Sequence, residues 1–152
     1  MKVLVTGGLG YIGSHTCVEL SKNYTVVIAD NLINSKIEVL ERINSISHSK
    51  VIFEKIDLRN KKDVALLFKN HPDISGIIHF AALKAVGESV EKPLLYYENN
   101  INSLLNVLEQ AQQLSSDINF IFSSSCTVYG EPLKLPITEK EPIKKAFSPY
   151  GE

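Results

Sequence analysis

The feature that most constrains this chain is a glycine-rich stretch, TGGLGYIG, which follows the first apolar run of the sequence. Gly8, Gly10 and Gly13 fit the pattern G-x-G-x-x-G, while Gly7 with Gly10 and Gly13 fits the variant G-x-x-G-x-x-G. Glycine at these positions permits a tight turn and lets the main chain approach a pyrophosphate, which the following helix N-terminus attracts. The alternative is a merely structural turn. The stretch therefore predicts a strand, a tight turn and a helix, and it favours a dinucleotide site.

Apolar runs of strand length alternate with longer segments of helical period along the rest of the chain. Most of these runs are unbroken, which is typical of strands buried on both faces of a parallel sheet. With right-handed crossovers, the alternation predicts an α/β fold with a doubly wound parallel sheet. The predicted strands are 3–6, 25–29, 51–56, 76–81 and 119–123, and the predicted helices are 12–21, 35–45, 61–70 and 93–114. Residues 130–148, with prolines spaced through them, are predicted to form a long loop.

Asp30 closes the second predicted strand and lies about 20 residues beyond the glycine-rich turn, the usual place for the acid of a dinucleotide site. A carboxylate there accepts hydrogen bonds from the ribose hydroxyls of NAD and repels the extra phosphate of NADP. The sequence therefore predicts NAD as the cofactor. Asn31 and Ser35 are candidates for further ribose contacts, although both also fit an ordinary turn and helix start.

Charge and cysteine content exclude several classes of function. Lys+Arg number 16 against 17 Asp+Glu without a basic block, so we expect no nucleic-acid partner. The N-terminal apolar run is too short for a signal peptide or a membrane span, and we expect a cytoplasmic protein with no membrane partner. Cys17 and Cys126 offer no disulfide framework and are expected to be packing residues. No metal site is expected, because metal-ligand spacing is lacking among the histidines His15, His48, His71 and His79.

Four stretches of this sequence resemble, in order and spacing, the N-terminal half of the UDP-glucose 4-epimerase (UDP-galactose 4-epimerase) family. They are VTGGLGYIGSH, ADNLINSK, IIHFAALKAVGESVEKPLLYYENN and FIFSSSCTVYGEP, and the similarity runs through all 152 residues. The glycine motif is shared by the whole extended short-chain dehydrogenase/reductase superfamily, whereas AALKAVGESV is much more specific to the epimerases. The resemblance implies an NAD-dependent enzyme that interconverts UDP-glucose and UDP-galactose by inverting C4 through a transient 4-keto sugar.

The resemblance also implies a set of cofactor-binding residues, most of them at the carboxyl ends of strands, where open α/β sheets bind ligands. The set is Gly7, Gly8, Gly10, Tyr11, Ile12, Gly13, Asp30, Asn31, Asn34, Ser35, Asp57, Leu58, Phe80, Ala81, Ala82, Lys84 and Asn99. Tyr11 and Ile12 would lie along the pyrophosphate, and Asp57 and Leu58 would flank the adenine. The alternative for Asp57 is a cap of the following helix, and the alternative for Lys84 is a solvated loop lysine.

A catalytic pair is implied by the same resemblance. Ser125 would hold the sugar oxygen and Tyr150 would be the base, with Lys84, Ser125 and Tyr150 all contacting the substrate. A tyrosine base needs a pKa well below its usual value of about 10, and the resemblance assigns this effect to a lysine one helical turn later. That position lies two residues beyond Glu152, the last residue of the sequence.

Related sugar-nucleotide dehydratases carry an Asp-Glu pair after the fifth strand, where this chain has Cys126 and Thr127. Epimerisation is therefore favoured over dehydration. By this resemblance we expect residues 1–152 to form an incomplete NAD-binding Rossmann domain, truncated after its fifth strand and without the C-terminal substrate lobe. We expect this part to be inactive alone and the full-length protein to be a homodimer. The alternatives are a non-catalytic NAD-binding module or fragment, or another extended short-chain dehydrogenase/reductase acting on nucleotide sugars.

The fifth predicted strand, residues 119–123, has no sixth strand after it in this sequence. An unprotected sheet edge exposes unpaired main-chain groups that another chain can pair with. We therefore expect reduced stability or self-association through that side of the sheet.

Overall fold

The computed structural model describes residues 1–47, 50–115 and 117–152. In these residues five parallel strands form one sheet with helices on both faces. The strands are β1 (Lys2–Thr6), β2 (Thr25–Asp30), β3 (Ile52–Lys55), β4 (Ile74–His79) and β5 (Asn119–Phe122). The helices are α1 (Tyr11–Leu20), α2 (Glu38–Ile46), α3 (Lys61–Asn70), α4 (Val86–Glu91) and α5 (Pro93–Leu114), and Cys126–Tyr129 forms a short 3-10 turn.

The strand order is β3-β2-β1-β4-β5, so the chain winds outward from β1 to β3 and then crosses back to β4. This reversal makes the boundary between β1 and β4 a topological switch point, beside which open α/β sheets bind their ligands. The predicted doubly wound parallel sheet is confirmed.

Different helices cover the two faces of the sheet. Successive residues of a strand point to opposite faces, and β1 follows this rule closely. Leu4 belongs to a buried cluster with Phe68 of α3 and Val107 of α5, whereas Val5 belongs to a second cluster with Cys17 of α1. The central strands are therefore buried on both faces, as predicted, and Cys17 is the packing residue that the sequence suggested.

The edge strand β5 departs from this pattern. Ile121 and Phe122 are 57% and 54% exposed, so the burial on both faces expected of most of the strands does not hold for β5. In the described residues β5 lies at the edge of the sheet with β4 as its only partner strand, so its outer main-chain groups are left without a strand to pair with. The predicted unprotected edge is confirmed.

Several element boundaries differ from the prediction for identifiable reasons. Helix α2 begins at Glu38 rather than at Ser35, because the Ser35 hydroxyl donates to Asp30 at 2.7 Å instead of capping a helix. Helix α4 was not predicted, since it is only six residues long and carries Gly87 in its first turn. Cys126 is exposed in the 3-10 turn, so its expected packing role is wrong. Residues 130–148 form no helix or strand, as predicted.

Candidate functional site

A cleft of about 760 Å³ opens at the carboxyl ends of all five strands. Its volume lies within the range of small-molecule and cofactor sites in proteins. The cleft brings together residues that are far apart in sequence, including every predicted site residue except Gly8. Those that line it are Gly7, Gly10, Tyr11, Ile12, Gly13, Asp30, Asn31, Asn34, Ser35, Asp57, Leu58, Phe80, Ala81, Ala82, Lys84, Asn99, Ser125 and Tyr150.

The glycine-rich turn forms a wall of the cleft that consists of main chain. Gly7 has φ +65°, and a Cβ there would lie 2.9 Å from the Ala81 main chain, while a Cβ on Gly13 would lie 2.3 Å from the Gly7 carbonyl oxygen. Gly10 is the N-cap of α1 and offers no side-chain cap, so the first N–H groups of the helix remain without intrahelical partners. This bare turn at a helix N-terminus fits a pyrophosphate.

Gly8 lies behind the turn and does not line the cleft, so its contact with the cofactor stays a prediction. A Cβ at Gly8 would lie 2.7 Å from Ile28 Cγ2 and 3.2 Å from the Cys17 sulfur, so glycine is needed here to pack the turn onto β2. The Cys17 thiol donates to the Gly8 carbonyl, with 3.8 Å between sulfur and oxygen. Burial, together with the nearby Asp30, raises the Cys17 pKa to about 12, so this thiol is not a nucleophile.

Asp30, at the end of β2, is held by three protein donors. Its Oδ2 accepts from the Leu9 N–H at 3.1 Å, and its Oδ1 accepts from the Leu32 N–H at 2.9 Å and from the Ser35 hydroxyl. An ionised carboxylate has about four acceptor sites, which leaves capacity for a further donor from the cleft. The acid is therefore fixed in place and can accept a ribose hydroxyl.

Beyond β3, the Asp57 carboxylate forms a forked ion pair with Arg59. The Arg59 Nε lies 3.0 and 3.1 Å from the two carboxylate oxygens, and its terminal nitrogen lies 2.6 Å from Oδ2. These hydrogen bonds lower the Asp57 pKa, so the carboxylate stays ionised. The alternative role of Asp57 as a helix cap is wrong, because α3 is capped by Asn60, whose side chain accepts from the Lys62 N–H at 3.0 Å.

The segment after β4 is fixed from the end of β1. The Thr6 hydroxyl lies 2.9 Å from His79 Nδ1 and accepts from the Ala81 N–H at 3.3 Å. His79 is 2% exposed, and its burial lowers its pKa to about 4, so the ring is neutral near pH 7. It stacks with the Phe120 and Phe122 rings of β5, at centroid distances of 6.1 and 6.0 Å.

Two side chains of α5, which the sequence analysis did not single out, anchor the segment that carries Lys84. The Asn100 side chain accepts from the Leu83 N–H at 2.8 Å and donates to the Leu83 carbonyl at 2.9 Å. The hydroxyl of the buried Tyr96 accepts from the Ala85 N–H at 3.1 Å. Lys84 therefore projects from a short stretch that is held on both sides. The only sequence signal for these anchors was a polar pair next to aromatic residues on a long helix.

Glu88 of α4 is a further cleft residue that the sequence analysis missed. Its carboxylate accepts from Lys92 at 3.1 Å and from the Tyr96 hydroxyl at 3.0 Å. The hydrogen bond from Lys92, followed by that from Tyr96, lowers the Glu88 pKa, so this group is ionised near neutral pH.

Ser125 and Tyr150, the predicted catalytic pair, both line the cleft. Ser125 is the N-cap of the 3-10 turn, and its oxygen accepts from the Thr127 N–H at 3.3 Å and from the Thr127 hydroxyl at 3.0 Å. Since both bonds use its lone pairs, the Ser125 hydrogen can be directed toward a ligand oxygen. The arrangement is that of a hydrogen-bond donor at the end of β5.

Tyr150 lies in a single turn that Gly151 closes by donating to the Ser148 carbonyl at 2.9 Å. The Tyr150 N–H donates to the hydroxyl of Ser89 at 3.3 Å, and Ser89 is fully buried in α4. This contact ties the turn to the helix that follows the Lys84 segment.

No group of histidine, cysteine, aspartate and glutamate side chains that could hold a metal ion is found in residues 1–47, 50–115 and 117–152. The buried His71 instead pairs with Glu54 at 2.9 Å. His48, one of the four histidines considered above, lies outside the described residues. In that same part of the chain, none of the helices combines the length and apolar character that crossing a membrane requires.

Comparison with known proteins shows what this chain is similar to. Residues 4–152 match the family model described as GDP-mannose 4,6 dehydratase. The chain is 51% identical over 154 residues to the UDP-glucose 4-epimerase of Schizosaccharomyces pombe, a match that covers 98% of this chain and 42% of that protein. The resemblance to UDP-glucose 4-epimerases that the sequence predicted is confirmed.

Two solved structures are similar to the whole fold. The UDP-glucose 4-epimerase from Bifidobacterium longum in complex with NAD+ and UDP gives a TM-score of 0.93 at 44% identity, over 99% of this chain and 45% of that one. The enzyme from Stenotrophomonas maltophila with bound NAD and formylated UDP-arabinopyranose gives 0.89 at 44% identity, over 99% and 44%. This chain therefore spans less than half the length of the relatives that it matches.

Proposed function

Since the chain belongs to the GDP-mannose 4,6 dehydratase family, within the extended short-chain dehydrogenase/reductase superfamily, we propose that it binds NAD as the cofactor-binding part of a UDP-glucose 4-epimerase. The observation that carries this proposal is a single cleft lined by the glycine-rich turn, Asp30, Ser125 and Tyr150. It unites the elements of a dinucleotide site with a serine and a tyrosine suited to act on a sugar hydroxyl.

The residues present fit NAD along the length of the cleft. The N-terminus of α1 would hold the pyrophosphate, because a Cβ at Gly13 would clash with the turn that makes the approach possible. Asp30 would accept a ribose hydroxyl, and its charge would disfavour the 2′-phosphate of NADP. The NAD complexes of the related epimerases support this choice of cofactor.

The proposed reaction inverts C4 of the sugar in UDP-glucose and UDP-galactose. Bound NAD would supply the chemistry of accepting a hydride from C4 and returning it to the opposite face. Tyr150 would take the proton of the C4 hydroxyl as general base, and Ser125 would donate a hydrogen bond to the same oxygen. Lys84, held by the anchored segment between Leu83 and Ala85, would lie on the substrate side of the cleft.

The epimerase is preferred to the dehydratase of the family description because the cleft lacks a suitable acid. Dehydration needs a protonated carboxyl group beside the sugar to release water. Among the described cleft residues the carboxylates are Asp30, Asp57 and Glu88. Hydrogen bonds lower the pKa values of Asp57 and Glu88, so neither of these two is poised to donate a proton. Asp30 is instead occupied by three protein donors at the end of β2.

A chimaera tests the catalytic proposal. The 152 residues would be fused to the part of the Bifidobacterium longum enzyme that follows the matched region, and interconversion of UDP-galactose and UDP-glucose would be measured. We expect activity from the chimaera and its loss on Tyr150→Phe, with NAD binding retained. The Tyr129→Phe chimaera is the matched control, because Tyr129 does not line the cleft. A folded chimaera that binds NAD and does not epimerise would contradict the proposal.

The chimaera, rather than the 152-residue chain alone, separates this proposal from a non-catalytic NAD-binding module. The lysine that the resemblance places after Tyr150 is not part of this sequence, so we propose that the chain alone binds NAD without turnover. A non-catalytic module would also leave the chimaera inactive, whereas the epimerase proposal requires that it be active.

A further inference from the structure

The forked ion pair of Asp57 and Arg59 occupies the cleft beyond Asp30. Strand β3 lies next to β2 in the sheet, with Lys55 of β3 in register with Asp30, and Asp57 follows two residues later. A dinucleotide whose ribose bonds Asp30 therefore places its base beside the end of β3. The pair lies where the base of the proposed NAD would bind, so this inference rests on the proposed function.

The main chain at this pair is held independently of the pair itself. The Asn106 side chain of α5 donates to the Leu58 carbonyl at 2.9 Å and to the Arg59 carbonyl at 3.1 Å. The Arg59 N–H donates in turn to Asp57 Oδ1 at 3.0 Å. Both side chains remain about one third exposed, at 33% for Asp57 and 32% for Arg59, and both line the cleft. The carboxylate is thus accessible to a ligand but fixed in orientation.

Orientation matters because a carboxylate can only accept hydrogen bonds. Arg59 uses one side of the carboxylate with a planar fork, which a lysine could not reproduce. The remaining acceptor sites face a partner that must be a donor. The amino group at C6 of adenine is such a donor, whereas hypoxanthine carries a carbonyl oxygen at C6 that the carboxylate repels.

We infer that Arg59 is a positioning residue that makes this cleft selective for adenine, by holding the Asp57 carboxylate as a fixed acceptor for the C6 amino group. The discrimination between bases then depends on the side chain of Arg59, although the direct contact is made by Asp57. No part of this inference concerns the catalytic residues, so it can be tested by binding alone.

The test compares two dinucleotides by isothermal titration calorimetry at neutral pH. NAD and its hypoxanthine analogue, nicotinamide hypoxanthine dinucleotide, would be titrated into the 152-residue protein and its variants. A hydrogen bond to a charged group corresponds to roughly tenfold or more in affinity, so we expect the wild type to prefer NAD by about that factor. Arg59→Ala should reduce the preference to about threefold or less, mainly by weakening NAD.

Three further variants sharpen the test. Arg59→Lys keeps the charge without the fork and should give an intermediate preference, and it supplies a second measurement if Arg59→Ala fails to fold. Asp57→Asn presents an amide that can donate to the hypoxanthine carbonyl, so the preference should vanish or reverse. Arg42→Ala removes the other arginine of the chain, an exposed residue of α2 outside the cleft, and should leave the preference unchanged.

The outcomes separate this inference from the proposed function. An unchanged preference in Arg59→Ala and Arg59→Lys, or an equal loss of affinity for both dinucleotides, would overturn the role of Arg59 and leave NAD binding intact. Failure of the wild type to bind either dinucleotide would overturn the NAD proposal and this inference together.

Discussion

The Asp30 carboxylate accepts a hydrogen bond from the main-chain N–H of Leu9, with 3.1 Å between Oδ2 and the nitrogen. This bond joins the end of β2 to the glycine-rich turn after β1, and it is buried. The residue that selects the ribose in the proposed site therefore also stabilises the turn that holds the pyrophosphate. In the proposed site, the stability of the turn and the recognition of the cofactor would depend on the same side chain.

Replacing Asp30 by alanine should destabilise the protein even without cofactor. Asp30→Ala leaves the buried Leu9 N–H without its acceptor, and we expect the free energy of unfolding to fall by about 2 kcal/mol. Urea denaturation followed by circular dichroism measures this change. Asn31→Ala is the control, because Asn31 accepts from Ile33 in an exposed turn, and it should change stability by no more than about 0.5 kcal/mol. Equal stability of wild type and Asp30→Ala would argue against this structural role.

A methyl group on Gly13 should disrupt the turn. Its Cβ would lie 2.3 Å from the Gly7 carbonyl oxygen, and overpacking of this kind costs about 1–3 kcal/mol of stability. We expect Gly13→Ala to lower the melting temperature and to abolish NAD binding. Gly87→Ala is the matched control, since a Cβ at Gly87 of α4 meets nothing within 4 Å and alanine favours the helix. NAD binding by Gly13→Ala at wild-type affinity would contradict the proposed geometry of the turn.

The buried His79 should make the protein less stable in mild acid. Burial lowers its pKa from 6.5 to about 4 in the folded state, so the unfolded chain takes up the proton first as the pH falls. Its contribution to stability is therefore present above pH 6.5 and is lost between pH 6.5 and about 4, by up to about 3 kcal/mol.

Urea denaturation at several pH values in that window measures the effect. His79→Gln should be less stable at neutral pH, because it loses packing against the β5 rings, and should show a shallower fall in stability with acid. Identical slopes for wild type and His79→Gln would show that His79 is not the titrating group.

The exposed edge of the sheet should cause self-association. Ile121 and Phe122 expose more than half of their surface on β5, next to main-chain groups that another chain can pair with. We expect light scattering to show oligomers that grow with concentration and that Ile121→Lys suppresses. Leu133→Lys, at a 79% exposed site in the loop after the sheet, should not suppress them. A monomer at every concentration would refute this expectation.

The parts of the fold that were predictable are those set by local sequence. The ranges predicted for α3 and α5 match the observed helices, because Asn60 caps the first and Pro93 begins the second. The glycine-rich turn and Asp30 could also be predicted from local sequence, because their spacing follows from one strand, one turn and one helix.

The parts that were missed depend on contacts between distant segments. Asn100 anchors Leu83 from another element. The inferred role of Arg59 depends on its contact with the ionised Asp57 in the folded cleft. Gly8 was placed in the site by its motif, whereas its packing against Ile28 appears only in the folded sheet. Such relations have no periodicity that a single sequence could reveal.

Titration of the 152-residue chain with NAD and NADP by calorimetry measures whether the cleft is an NAD site. We expect one NAD site per chain, with NADP weaker by about tenfold or more because the Asp30 carboxylate opposes the added phosphate. Gly13→Ala should remove the binding of both. Absence of NAD binding by the folded wild-type chain, or equal affinity for the two cofactors, would contradict the proposed NAD site.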